Sequence, residues 1–186
     1  MDNKEQSEVK KGELLVAEPF MQDPNFSRQV VYVTDNQEGH VGFVLNNLVQ
    51  NLTIGDVVEE LSPLSLPVYI GGPVEHNTLH FLHNAEDLED TVKVENEIYW
   101  GGNFEQLKEW ALIGKLEEFK FKFFLGYSGW GPDQLENEIE SDSWIVSSPI
   151  VNIFNDYDED LWKLILTKLG GKYKEIANYP VDPRLN

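Results

Sequence analysis

Three observations predict a single domain of mixed helix and sheet. Short apolar runs of four to six residues recur along the chain, several alternating, and turn residues bound them: Asp23-Pro24-Asn25, Asn46-Asn47, Gly71-Gly72-Pro73. Two stretches carry helical spacing instead, Phe104, Leu107, Ala111 and then Leu161, Ile165, Leu169. Between them, FKFFLGYSGWGPDQLENEI at residues 121–139 joins an apolar run to a glycine-rich turn and then a short amphipathic helix.

In chain order, Glu13 to Ala17 reads as a strand stopped before Pro19, with Phe20 and Phe26 bracketing the turn that follows. Val30 to Val33 and Val41 to Leu45 form a hairpin across the polar turn 35–39, closed by Asn46-Asn47. Thr53 and Asp56 have the spacing of a capping box, which opens a helix to Leu61 with Ile54, Val57, Val58 and Leu61 inward, ended by Pro63 and Pro67. Pro67 to Ile70 is a short strand, Gly71 to Pro73 a turn and Thr78 to Leu82 the next strand. The acidic stretch Ala85 to Asp90 is a loop or a helical turn, and Val92 to Val94 and Ile98 to Trp100 are candidate short strands. Asn103 caps a helix to Ile113, which Gly114 ends.

The central unit begins with a strand over 120–125. Gly126 breaks it, Gly126 to Gly131 form a tight turn with Tyr127 and Trp130 to bury, and Pro132 takes the first helical position. Asp133 and Glu136 suit the positive end of that helix, and Leu135 and Ile139 are its inward stripe. Trp144 to Val146 is a strand and Pro149 to Phe154 an apolar bridge. A clear packing helix starts at Asp158 and ends at Gly170-Gly171, with a tail beyond Tyr173.

These motifs together resemble the AlgH/YqgE family of mostly uncharacterised bacterial proteins. The family's usual form at the central unit is close to GYAGWGPGQLE, from which Ser128 and Asp133 depart. The likeness extends to Gly12–Ala17, DPNFSRQVV, HVGFVLNN, Ile70 to Val74 and the closing DPRLN, nearly the whole chain. It implies an α+β fold: a mixed, mainly antiparallel sheet curled into a partly open pseudo-barrel with helices packed around it. It implies no agreed activity; one member's name comes from a link to regulation of alginate synthesis. The family usually has Asn-Arg-Pro where this chain has Asn46-Asn47-Leu48, so no role of that arginine carries over.

A chain of 186 residues makes one domain the default, with residues 12–186 as the AlgH/YqgE-like domain after a polar, flexible lead-in at 1–11. That lead-in has no apolar core, so it reads as neither a signal peptide nor a membrane span. With 14 Lys+Arg against 33 Asp+Glu, the net charge of -19 repels nucleic acid and anionic membrane, so neither is an expected partner. Zero cysteines exclude disulfides and thiol chemistry and fit a cytoplasmic protein. No cofactor is expected, and the chain is taken as a monomer or homodimer.

No catalytic signature stands out. His76, His80 and His83 cluster in sequence, but residues three apart on a strand face opposite ways, so they read as histidines with local hydrogen bonds rather than a metal set. Ser128 in GYSGW imitates a nucleophile elbow with the second glycine one place early, and the family's usual residue there is alanine. Gly71-Gly72-Pro73 offers backbone donors to an anion, but Pro73 lacks one and no Lys or Arg occurs from Gln29 to Val92. The carboxylates read as solvated faces and helix caps. The expectation is a non-enzymatic protein with a protein or small-molecule partner and an indirect regulatory role; the alternative is an enzyme of unknown reaction. A ligand site, if the turns converge, would use Asn46, Gly71, Gly72, Pro73, Tyr127, Trp130 and Gln134.

Overall fold

The computed structural model describes residues 8–158 and 160–180. Ten strands form the sheet: β1 (Leu14–Ala17), β2 (Val30–Asp35), β3 (His40–Val44), β4 (Leu48–Thr53), β5 (Pro67–Ile70), β6 (Val74–His83), β7 (Val92–Glu95), β8 (Ile98–Trp100), β9 (Phe121–Trp130) and β10 (Trp144–Ser147). Their order is β10-β1-β2-β3-β9-β6-β8-β7, with β5 joining β9 and β4 pairing β5. Every pairing is antiparallel except β5 with β9. The helices are α1 (Ile54–Val57), α2 (Phe104–Leu112), α3 (Gln134–Glu140), α4 (Asp160–Leu169) and α5 (Gly171–Ile176). The antiparallel sheet curls into a half-barrel with these helices around it.

Strand β9 is the hub. On one side it pairs with β6 over residues 121–127; on the other it pairs first with β5 at Phe123–Leu125 and then with β3 at Ser128–Trp130. Gly71 sits where the neighbour changes: its N–H donates to the Leu125 carbonyl, and its own carbonyl accepts from Val44 N–H at 2.9 Å.

The curl divides the interior into three clusters. In the first, Leu161, Trp162, Ile165 and Leu166 of α4 lie on Leu14, Val16, Tyr32, Phe43 and Phe124. The Trp162 indole is fully buried because its Nε1 finds the Ala17 carbonyl at 2.7 Å. In the second, Leu107 and Ala111 of α2 join Ile54, Leu61, Val68, Phe81 and Phe123; Asn103 caps α2 by accepting from Gln106 N–H at 3.1 Å. The third gathers Leu15, Phe26, Val31, Trp130, Leu135 and Trp144.

The structure corrects several expectations. The predicted turn 126–131 is strand: β9 runs through to Trp130, and its glycines serve close backbone approach rather than reversal. A Cβ on Gly126, at φ 69°, would meet the Val74 carbonyl oxygen at 2.5 Å. Pro132 is not the first helical residue; Asp133 is the N-cap in left-handed backbone and α3 starts at Gln134. The helix predicted from Thr53 to Leu61 is one turn, α1, plus a 3-10 turn at Glu59–Leu61. Its cap does form, with the Asp56 carboxylate accepting from Thr53 N–H and hydroxyl, but of the four residues expected inward Val57 is exposed, Ile54 and Leu61 are buried in the core and Val58 packs partly against it. The β-branched pair Val57-Val58 adds nothing to hold a longer helix. Strand β4 was not anticipated, because LVQNLT is polar at its centre and touches β5 at few points. The tail expected beyond Tyr173 is helix α5 as far as Ile176, while the closing DPRLN lies outside the described residues. Residues 1–7 of the expected lead-in also lie outside them. Val9, within that lead-in, is 1% exposed and holds Asn36 and His40 through its carbonyl.

Candidate functional site

Where β3, β5 and β6 end beside β9, small residues bring backbones too close for side chains. Gly72 has φ 155°, and a Cβ there would strike Ser128 Oγ and backbone N. Ser128 is fully buried and donates its hydroxyl to the Gly71 carbonyl at 3.0 Å, so it ties two strands together and is no nucleophile. Asn46 is 4% exposed and equally structural: its Oδ1 accepts from Val30 N–H and its Nδ2 donates to the Arg28 carbonyl, both at 3.0 Å. That bridge pins Arg28 in the left-handed region at φ 54°. The Arg28 guanidinium points elsewhere, 4.7 Å above the Trp162 ring and onto the Tyr179 carbonyl.

Outside this knot lies a cleft of ≈ 310 Å³. Three carboxamides (Asn25, Gln29, Asn47), the Gly72-Pro73 backbone and the His76 imidazole line it over Val44 and Ile70. None of its lining side chains is a carboxylate, hydroxyl, lysine or arginine. His76 Nε2 is 2.7 Å from the Gly72 carbonyl; a carbonyl only accepts, so that nitrogen carries the proton and Nδ1 is the free acceptor of the neutral ring. Gln29 Oε1 is buried without a hydrogen-bond partner among the described residues.

Of the residues picked from sequence, Gly72 and Pro73 line this cleft, and Gly71 lies directly behind it. Asn46 faces the 28–30 segment instead. Tyr127 turns toward the first cluster, edge-on to His80 at 5.7 Å. Trp130, three residues on, faces the opposite side of the strand, stacked on Phe26 at 5.8 Å and edge-on to Trp144 at 5.9 Å. Both indoles donate to one carboxylate oxygen, Glu138 Oε2, at 2.9 and 2.8 Å. Gln134 belongs to this node too: its Oε1 accepts from Gly131 N–H and its Nε2 donates to Glu138 Oε1. The geometry therefore brings Gly71 and Gly72 against Gly126 and Ser128 of β9 and sets Trp130 and Gln134 apart from them.

Sequence reasoning missed Asn25, Gln29, Asn47 and His76 as cleft residues, and Glu138 as the acceptor of two indoles. Asn25 and Asn47 sat inside noted motifs, but nothing in their spacing marks a shared wall. His80 and His83 lie deeper. Burial holds both imidazoles below the usual histidine range; His83 sits between the Gly101 carbonyl and Ala85 N–H, and His80 contacts the Thr78 hydroxyl at 2.9 Å.

The curled half-barrel and its glycine knot define a class of small α+β proteins organised on one long central strand. Within that class the chain belongs to the AlgH-like family, whose model matches residues 14–174. A UPF0301 protein of Cytophaga hutchinsonii is 43% identical over 180 residues, covering 95% of this chain and 98% of that one. A UPF0301 protein of Parabacteroides distasonis is 41% identical, covering 94% and 90%. The solution structure of AlgH from Pseudomonas aeruginosa superposes with a TM-score of 0.69 at 27% identity, over 91% of this chain and 94% of that one. A crystal structure from Corynebacterium diphtheriae shares the fold at 20% identity with a TM-score of 0.77, covering 92% and 93%. No helix among the described residues is long and apolar enough to cross a membrane.

Proposed function

We propose that this chain is a cytoplasmic binding protein without catalytic activity, which holds a small, uncharged, hydrogen-bonding ligand in the Gly72 cleft and acts on regulation indirectly, through that ligand or through a protein partner. The carrying observation is that Gln29, one of the amides lining the cleft, keeps its Oε1 buried without a partner among the described residues. An unmade buried hydrogen bond is costly, so a ligand that supplies a donor there gains more than the same contact would give in water. Amides recognise neutral groups that both donate and accept. An anionic ligand would face the field of a chain at -19 with no cation in the cleft, which also argues against direct contact with duplex DNA. A hydrolytic or transfer reaction there would lack a hydroxyl, thiol or amine nucleophile and a carboxylate to orient the His76 imidazole among the lining groups.

Amide-detected NMR titration with a panel of neutral amides, ureas and nucleobases, beside anionic and cationic analogues, tests this. Saturable shifts of the Asn25, Gln29 and Asn47 side-chain amides with a neutral compound, lost in Gln29→Leu, are expected. Conversion of any compound in the panel that depends on His76 or Gln29 would overturn the non-enzymatic reading, and selective binding of anions would overturn the ligand class.

A further inference from the structure

Lys122 is the only lysine or arginine among the described residues that is buried, at 3% exposure, and no described carboxylate lies within ion-pairing distance of it. It sits on β9 two residues before Phe124, on the same sheet face, opposite Leu82 of β6. Its Nζ donates to the Asn155 carbonyl at 2.8 Å and lies 3.7 Å from the Tyr69 ring centroid and 5.7 Å from that of Tyr157. The same segment is held again by Tyr69, whose hydroxyl accepts from Tyr157 N–H at 3.2 Å and faces Asp156 Oδ1 at 3.4 Å. Residues 155–157 are thus fastened to β5 and β9 by one amine and one phenol.

The geometry points to a proton-operated latch, in which the charge on Lys122 sets whether the 154–157 segment stays closed over the sheet. A neutral amine makes its bond to the Asn155 carbonyl at no electrostatic cost. An ammonium in the same place gives up its water for one carbonyl and two ring faces, so charging favours the open segment, where it is hydrated. Burial accordingly pulls the Lys122 amine down to about 7, against the opposing pull of Asp156. The other ionisable neighbours are Asp158, whose field reaches Tyr69, Tyr157 on the segment itself, Lys120 two residues back on β9, and His80, whose ring is spent on Phe43, Trp100 and Tyr127. The Tyr69 phenol, pushed up to about 12 by burial and by Asp156, keeps its proton at neutral pH. Phe154, one residue before the latch, lines a cavity of ≈ 490 Å³ with Asn84, Ile98 and Lys120, so release extends that cavity toward the Lys122 amine.

The sign follows from linkage. The closed state binds fewer protons than the open one from about pH 7 up to the ordinary lysine range, so closure strengthens as pH rises through that window and is independent of pH below it. The open-to-closed ratio falls roughly fivefold from pH 7 to 8 and close to tenfold from pH 8 to 9.

Hydrogen exchange followed by mass spectrometry on peptides spanning 152–158, with intrinsic exchange divided out, reads this ratio between pH 6 and 9. Expected are a flat limb below about pH 7, a falling one above it, and opening at lower free energy than the core amide of Tyr32. Lys122→Met should abolish the slope, as should Lys122→Gln, which keeps a donor without the charge. Tyr69→Phe should raise opening at every pH and keep the slope. An unchanged slope in the Lys122 variants, no slope in the parent protein, or exchange of this segment only together with Tyr32 would overturn the latch. This inference is independent of the Gly72 cleft and survives the loss of that reading.

Discussion

The Trp130 node and the Gly72 cleft flank the same half of β9, and both belong to motifs that looked alike in sequence. At the node every polar group is matched: two indoles and a carboxamide share one Glu138 carboxylate, and the Gln134 oxygen takes Gly131 N–H. At the cleft the backbone is equally crowded, yet Gln29 Oε1 is buried without a partner among the described residues. Aromatic rings and glycines therefore do not separate architecture from a site. Polar satisfaction distinguishes these two sets of side chains, although Arg28, Tyr32, His40 and Glu136 also hold a buried atom without a partner among the described residues. Such an atom carries a cost that a ligand can remove only where it can reach it.

This contrast can be broken by substitution. The largest effect is expected at Trp130→Ala, a loss of about 3–5 kcal/mol by chemical denaturation, the range for deleting a buried aromatic; a loss under about 1 kcal/mol would make this ring a contact residue. Glu138→Ala should cost about 2–3 kcal/mol by orphaning two indole donors, with Glu138→Gln losing less because one acceptor remains; equal losses would show that charge rather than acceptance holds the node. Gly72→Ala should cost about 1–3 kcal/mol, since its Cβ meets the Ser128 backbone and φ is positive. The smallest change belongs to the cleft: Gln29→Leu should stay within about 0.5 kcal/mol or stabilise, because it removes an unpaired buried atom while abolishing ligand binding. A loss there as large as at Glu138 would place Gln29 in the architecture and end the distinction.

Much of the fold was legible. The hairpin β2-β3, the strand Pro67–Ile70, the Asn103 cap and the stripe on α4 each follow from local periodicity or turn chemistry. Less of the site was. Gly72 and Pro73 were found because Gly and Pro mark unusual backbone, whereas Asn25, Gln29 and His76 meet only through the curl of the sheet. Lys122 shows the same limit: in Lys120-Phe121-Lys122-Phe123 it reads as one side of an alternating strand, and it is Tyr69 of β5 and the segment 154–157 that meet its amine in the fold.

The sequence by itself determined the secondary elements whose signals are local, the acidic net charge of -19, and the family. It could not determine that β9 runs on through two glycines, because a glycine permits both a turn and a close approach, and the choice belongs to the backbones of β3, β5 and β6 that come against it. Tertiary structure also decided which of the polar groups are paired. A hydrogen bond between residues such as Ser128 and Gly71, or Lys122 and Asn155, depends on distances that spacing along the chain does not encode.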